Sequence, residues 1–128
     1  MKIINVKRST AAYFNLIPTD LDIKTNRPEI VVPRQIAHYL CMNNKLGSLN
    51  QVGAAIGFKN HATVIHSCKT INNMMDTNYK HQGMLIAKVI SELNEIIQLR
   101  GHRAFEFIQV LDLKRQKYIS QKTLMVSI

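Results

Sequence analysis

Residues 48–71, SLNQVGAAIGFKNHATVIHSCKTI, predict two helices joined by a turn that contains glycine. Ser48 is a suitable N-cap for a short helix over residues 49–56, and Gly57 can end that helix by adopting a left-handed backbone. Asn60 is a suitable N-cap for a second helix, which we expect to extend to about residue 75. This is the layout of a helix-turn-helix, whose second helix presents its leading residues to base edges in the DNA major groove.

Apolar residues recur at helical spacing along the second helix and orient it. The residues expected to face the core are Val64, Ile65, Cys68 and Ile71. The residues expected at the leading end or facing outward are His61, Ala62, Thr63, His66 and Lys69. In the first helix, the small residues 53–55 are expected to let another helix approach, and Phe58 is expected to close the turn against the core.

The rest of the chain predicts further helices and one long loop. Helices are expected over residues 2–16, 34–44 and 81–99, and a connecting loop over residues 17–32. Lys7 and Arg8 are expected on the outer side of the first of these helices. Pro33 suits the first turn of the next, where a missing N–H has no cost.

The expected fold class is an all-α helix-turn-helix bundle of five to six helices, formed by residues 1–100. Residues 101–128 are expected to form an extension whose pattern fits a sixth helix or a short β-hairpin, and we favour the helix. Helix-turn-helix proteins commonly bind DNA as dimers, so this extension is a candidate homodimer contact.

The charge of the chain indicates a polyanionic partner. The formal net charge is +9, and no acidic residue occurs between Glu29 and Asp76. Four cations lie inside that window: Arg34, Lys45, Lys59 and Lys69. A surface that faces phosphates has to lack carboxylates, because counterions are released only where cations meet phosphates. The alternative interpretation is a mildly basic solvated face.

Membrane and secretory signals are missing from the sequence. No apolar run approaches the roughly 20 residues that a membrane span requires, and polar residues interrupt the apolar ones near the N-terminus. Cys41 and Cys68 lie far apart on the apolar sides of predicted helices, which indicates buried thiols in a reducing compartment. We therefore expect a cytoplasmic protein that does not contact membrane.

Catalytic and metal-binding chemistry also lacks its residue patterns. No Gly-x-x-x-x-Gly-Lys-Ser/Thr phosphate loop occurs, so the sequence gives no basis for ATP binding. Zinc could in principle be bound by His61, His66 and Cys68, with His38 and Cys41 on a neighbouring helix. Against this, His61 and His66 lie five residues apart and point in different directions, and Cys68 belongs to the inward apolar row. No serine, cysteine or carboxylate spacing suggests nucleophilic or acid–base catalysis. We expect no enzyme activity, no cofactor and no metal.

Two stretches carry a resemblance to a known family: VPRQIA at residues 32–37 and the helix-turn-helix at residues 49–71, most specifically residues 61–71. The chain resembles the C-terminal DNA-binding domain of the bacterial chromosomal replication initiator family, DnaA, from about residue 5 to residue 93. The resemblance implies the same all-α fold and sequence-specific binding to double-stranded DNA.

The resemblance implies individual roles for five residues. Arg34 matches an arginine that enters the minor groove, and His61 matches a residue that reads bases in the major groove. Lys59 and Lys69 match residues that contact the phosphate backbone, and Thr63 matches one that contacts phosphate or base. The alternatives are a surface arginine at a helix start for Arg34 and a second capping residue for Thr63.

Two positions depart from the family pattern. Asn60 stands where the family usually has aspartate, and Ala62 where it usually has threonine. Aspartate only accepts hydrogen bonds and suits the amino group of cytosine, whereas asparagine both donates and accepts and suits adenine. We therefore expect the family's docking but a different recognised sequence. The complete set of predicted DNA contacts is Arg34, Lys59, Asn60, His61, Ala62, Thr63, Lys69, Lys24, Arg27, Lys45 and His66.

The expected function is that of a sequence-specific double-stranded DNA-binding protein in replication initiation or its control. Without a phosphate loop, a motor would have to come from a separate ATPase or replication partner. One alternative is a transcriptional regulator or mobile-element protein with an unrelated DNA target. Another is an adaptor that binds a partner protein and whose charge is incidental.

Overall fold

The computed structural model describes residues 2–98, which form five α-helices, a short 3₁₀ helix and a small hairpin. In chain order these are α1 (Ile3–Tyr13), the 3₁₀ helix (Pro18–Asp22), α2 (Pro28–Asn43), α3 (Leu49–Ala55), α4 (His61–Asp76), β1 (Lys80–His81), β2 (Met84–Leu85) and α5 (Ile86–Gln98). The all-α helix-turn-helix class is confirmed. The predicted extension over residues 101–128, with its sixth helix and dimer contact, lies outside the described residues.

One core holds these helices together. Helix α4 packs chiefly on α2 and α3, while α1 packs on α2 and α5. All the helices contribute to the core, and its largest fully buried side chains include Val6, Leu21, Ile36, Leu40, Val52, Ile71, Ile86, Leu93 and Ile96. The inner side of α4 is therefore anchored on α2 and α3, and its outer side is left to solvent.

Helix α2 begins at Pro28 rather than at the predicted Arg34. Pro28 takes the first helical position, where its missing N–H has no cost, and Glu29 in the first turn is favoured by the helix dipole. Pro33 lies inside the helix and leaves the carbonyl of Glu29 without its usual partner. Its ring is buried, which recovers part of the cost of the lost hydrogen bond.

The predicted loop over residues 17–32 is correspondingly wrong over most of its length. The 3₁₀ helix occupies its first part, and an Asp20 carboxylate oxygen accepts a hydrogen bond from the Ile17 N–H at 3.0 Å. Leu21 is fully buried, so this short helix is part of the core. Only residues 23–27 remain as a connection to α2.

Helix α5 begins at Ile86 rather than at the predicted residue 81. The preceding residues form a hairpin in which His81 pairs with Met84. Gln82 and Gly83 both have positive φ, 51° and 78°, as two-residue hairpin turns require. His81 is only 6% exposed, so its contact with the core holds the hairpin in place.

Candidate nucleic-acid interface

Helix α4 starts at a cap that fixes two of the predicted DNA contacts. The Oδ1 atom of Asn60 accepts hydrogen bonds from the Thr63 backbone N–H at 3.0 Å and from the Thr63 hydroxyl at 3.1 Å. The N-cap role of Asn60 is thereby confirmed. Thr63 takes part in this cap as a donor, because its hydroxyl proton is directed to Asn60 rather than to a phosphate. Its predicted contact with DNA and its alternative as a second capping residue both stay predictions.

The cap restricts what Asn60 can offer to a base. Because Oδ1 already accepts two hydrogen bonds, the amide Nδ2 is the group left for a ligand. In this conformation Asn60 is a donor, and it lacks the donor–acceptor pair that reading adenine in the major groove requires. A donor suits the N7 atom of either purine, O6 of guanine or O4 of thymine.

The outer side of α4 presents a mixed basic and apolar surface. Ile65 was expected to face the core, and this is wrong, because its side chain is 38% exposed. It lies four residues after His61 and four before Lys69, which is the spacing of one helical face. We call the exposed residues of this surface the recognition face: His61, Ala62, Ile65, His66 and Lys69. The row that faces the core is Val64, Ser67 and Ile71, with Cys68 half-buried beside it.

The turn between α3 and α4 is closed by a contact between two backbone segments. The Lys59 N–H donates to the Gly53 carbonyl at 2.8 Å. A Cβ atom on Gly53 would lie only 2.3 Å from the Lys59 carbonyl oxygen. Gly53 therefore makes room for the turn itself, while Ala54 and Ala55, which were also expected to admit a neighbouring helix, are exposed.

Two consecutive residues of this turn have left-handed backbones. Gly57 has a φ of 87°, which confirms its predicted conformation, and Phe58 has a φ of 53°. The prediction that Phe58 closes the turn against the core is wrong, because its side chain is 77% exposed. Ile56, which is fully buried, fills the core at this end of α3 instead.

Two side chains from outside the helix-turn-helix, Lys7 and Asp22, form hydrogen bonds with the end of α3 and the turn. Asp22 accepts hydrogen bonds from the Gly57 N–H at 2.7 Å and from the Lys7 ammonium at 2.7 Å. Lys7 also donates to the Ala55 carbonyl at 2.9 Å. The ion pair is largely buried, with side chains 10% and 13% exposed, so the prediction that Lys7 faces outward is wrong. No local pattern pairs these residues, since their partners lie far along the chain.

Arg34 is buried, unlike an arginine poised at a DNA groove or on the surface. Its Nε donates to the Leu21 carbonyl at 2.7 Å and its Nη2 donates to the Ile23 carbonyl. Burial lowers the pKa of Arg34, and the nearby charge of Asp22 acts in the opposite direction. The guanidinium could reach a minor groove only by giving up both carbonyls. That role stays a prediction, and the surface-arginine alternative does not describe the observed position.

Most of the other cations that were predicted to contact DNA lie outside α4 and its cap. Lys24 and Arg27 are exposed in the connection before α2, and Glu29 is exposed beside them. Lys45 is exposed just after α2, whereas Lys59 is half-buried directly before the cap of α4. The structure therefore brings together Lys59 to Thr63, with His66 and Lys69 further along the same helix.

A buried polar chain lies beneath α4 and was not predicted from the sequence. The His38 ring is fully buried, with Nε2 2.8 Å from the Ile56 carbonyl and Nδ1 2.9 Å from the Ser67 hydroxyl. The Ser67 hydroxyl is also 3.0 Å from the Thr63 carbonyl. Because a carbonyl can only accept, Nε2 carries the proton. Burial lowers the pKa of His38.

We expect the domain to lose stability in acid because two of its histidines, His38 and His81, are buried. Burial lowers the pKa of both His38 and His81 below 6.5, so the unfolded chain binds these protons first as the pH falls. The free energy of unfolding should decline below a pH of about 6.5, by at most roughly 1.4 kcal/mol per pH unit for each histidine. Urea unfolding at several pH values measures this decline. His38→Gln should make this decline with pH shallower. A free energy of unfolding that does not change with pH in this range would contradict a neutral, buried His38.

The cysteine, acidic and histidine side chains of the described residues are the candidates for a metal site. Within residues 2–98, no group of three or more His, Cys, Asp or Glu is placed to hold a metal ion. Both cysteines are free; burial raises the pKa of the Cys41 thiol to about 12 and also raises that of Cys68. In the same part of the chain, no helix has the length and apolar character needed to cross a membrane.

Comparison with known proteins places the helix-turn-helix in a defined group. Residues 3–71 match the family model described as bacterial dnaA protein helix-turn-helix. The chromosomal replication initiator protein DnaA of Lacticaseibacillus casei strain BL23 is 40% identical over 101 residues, covering 79% of this chain and 21% of the relative. DnaA of Flavobacterium psychrophilum is 30% identical over 94 residues, covering 73% of this chain and 19% of the relative. The chain thus spans about a fifth of the length of these relatives.

Proposed function

The chain belongs to the bacterial DnaA helix-turn-helix family, and we propose from this premise that it binds double-stranded DNA at specific sequences in replication initiation or its control. The printed name of its relatives, chromosomal replication initiator protein, supports the replication role. The observation that carries the proposal is the recognition face, exposed on a helix that is capped and anchored at its start. It lies within a stretch of sequence without a single carboxylate.

In the proposed complex α4 enters the major groove with its N-terminal end leading. Asn60 and His61 face base edges, Asn60 as a donor, and the methyl groups of Ala62 and Ile65 face thymine methyls. Lys59 and Lys69 contact phosphates and supply affinity that does not depend on sequence.

The remaining predicted contacts have supporting roles in this proposal. Lys24, Arg27 and Lys45 attract the phosphate backbone from their exposed positions, and Glu29 weakens the first two. Arg34 acts from the interior by holding the carbonyls of Leu21 and Ile23, and its minor-groove contact stays a prediction. The proposal places the protein with bacterial chromosomal DNA in the cytoplasm and assigns it no catalysis. A second copy bound through residues 101–128 and a separate ATPase partner stay predictions.

Selection from a pool of randomised duplexes tests the proposal directly. Repeated gel-shift selection at a fixed salt concentration should enrich one sequence motif. Binding to that motif should be tighter than to a scrambled duplex by about a thousandfold or more. Recovery of no motif would remove the sequence-specific function, even if basic charge still gave weak binding.

We expect alanine substitutions at the two ends of the recognition face to have different effects on DNA binding. His61→Ala should cost about 1–3 kcal/mol on the selected site and relax the preference at one or two base positions. Lys69→Ala should weaken binding to every duplex alike and reduce the slope of log affinity against log salt by about one. Quantitative gel shifts over a salt series, on the selected and scrambled duplexes, measure both. Equal losses on both duplexes for His61→Ala would show that His61 is not a base reader.

A further inference from the structure

Phe58 is the most exposed large apolar side chain in the described part of the chain, at 77%. It lies in the turn between α3 and α4, directly before Lys59 and the capping residue Asn60. Exposing an aromatic ring of this size to water leaves unused most of the stabilisation that burying it would give. Nothing in the folding of residues 2–98 therefore accounts for an aromatic side chain at this position.

The backbone at Phe58 is fixed and unfavourable for a bulky residue. Its φ of 53° lies in the left-handed region, which glycine adopts without strain and phenylalanine rarely adopts. Hydrogen bonds tie down both neighbours, since the Gly57 N–H donates to Asp22 at 2.7 Å and the Lys59 N–H donates to Gly53 at 2.8 Å. The turn thus holds the ring in a defined place at a cost that glycine would avoid.

The surroundings of Phe58 suit an anionic ligand that also has apolar surface. Lys59 follows it, and the recognition face begins at His61, within a sequence window that contains no carboxylate. Asp22, the carboxylate that contacts the turn, is neutralised by its ion pair with Lys7. Duplex DNA combines phosphate charge with the apolar surfaces of thymine methyl groups and deoxyribose rings.

We propose that Phe58 is a DNA-contacting residue, whose ring packs on an apolar surface of the duplex at the edge of the site read by α4. The inference rests on the proposed function, because it requires α4 to dock on DNA with its N-terminal end leading. It adds to that function an apolar contact from the turn itself. Such a contact raises affinity without neutralising a phosphate.

Phe58→Gly tests the proposal because its effects on folding and on binding have opposite signs. The variant should unfold at a higher temperature than the parent, since glycine accepts the left-handed backbone. It should nevertheless bind the selected duplex about tenfold more weakly, with an unchanged slope of log affinity against log salt. Tyr79→Ala is the matched control: Tyr79 is 45% exposed beyond the opposite end of α4, and its loss should leave DNA affinity unaltered.

The outcomes separate this inference from the proposed function. If the parent selects a motif and Phe58→Gly binds it equally well, the contact of Phe58 with DNA is overturned while the DNA-binding function stands. If the parent selects no motif, the proposed function itself has failed. Where Phe58→Gly does weaken binding, duplexes with deoxyuridine in place of single thymines identify the apolar surface of DNA that the Phe58 ring contacts. A substitution that weakens the parent but not Phe58→Gly indicates a thymine methyl, and a loss on Phe58→Gly that no such substitution reproduces indicates deoxyribose.

Discussion

Asp22→Ala is expected to lower the free energy of unfolding by roughly 3–5 kcal/mol, the usual loss when one partner of a buried ion pair is removed. Among residues 2–98, the substitution leaves the Lys7 ammonium, whose side chain is 10% exposed, with the Ala55 carbonyl as its one remaining partner. It also deprives the Gly57 N–H of its acceptor. Small domains are stable by only about 5–15 kcal/mol, so a large share of the stability is at risk. Urea unfolding of the parent and the variant at neutral pH measures the loss.

A double substitution distinguishes a lost ion pair from general damage to the core. Lys7→Met combined with Asp22→Leu removes both charges and should recover much of the stability, because no unpaired charge stays buried. A loss of less than about 1 kcal/mol for Asp22→Ala would mean that the pair behaves like an exposed one. In that case the turn is held mainly by its backbone contact with Gly53.

Gly53→Ala is expected to destabilise the domain by about 3 kcal/mol and to weaken DNA binding through the displaced start of α4. The added Cβ atom would lie 2.3 Å from the Lys59 carbonyl oxygen and 3.2 Å from the Asn60 carbonyl oxygen. Both obstacles are backbone atoms, which cannot move aside as the end of a side chain can. The turn would therefore have to shift together with the cap at Asn60. Thermal and urea unfolding measure the first effect, and gel shifts on the selected duplex measure the second.

Gly47→Ala is the matched control for this substitution. Its Cβ atom would meet the side-chain ends of Gln51 and Ile3, both at 3.0 Å. The Ile3 end can rotate away, and moving Gln51 Oε1 costs at most its hydrogen bond with the Ser48 N–H, so the loss of stability should stay within about 1.5 kcal/mol. Similar losses for the two alanine variants would show that the close approach at Gly53 is not what limits the turn.

The helix-turn-helix was predictable because its signals lie within a few residues of one another. Ser48 accepts a hydrogen bond from the Gln51 N–H at 3.1 Å, and the Gln51 side chain accepts one from the Ser48 N–H at 2.8 Å. Asn60 caps α4 and Gly57 is left-handed, as predicted. Caps and turns depend on nearby backbone atoms, so their residue types reveal them directly.

The errors fall on residues whose partners are remote in the sequence. Helix α2 starts at Pro28 rather than near Pro33, because Pro28 takes the first helical position and the buried Pro33 is accommodated inside the helix. Ile65 is apolar, but Val64 and Ile71 already fill the core side of α4, so its side chain is 38% exposed. Apolar spacing alone did not decide how wide the buried stripe of α4 is.

Local residue patterns were enough to predict an all-α helix-turn-helix whose recognition face has no carboxylate, since helical periodicity, caps and charge depend on residues close together in the chain. Which polar groups are buried and which apolar side chains are exposed followed only from the packing of distant segments. Arg34 and Lys7 became interior residues because carbonyls and a carboxylate from other segments replace their water. Phe58 became exposed because Ile56 fills the core and the turn, held by Asp22 and Gly53, fixes its backbone. Hydrogen bonding to buried partners and competition for core space depend on distant segments meeting, so neither is encoded in local spacing.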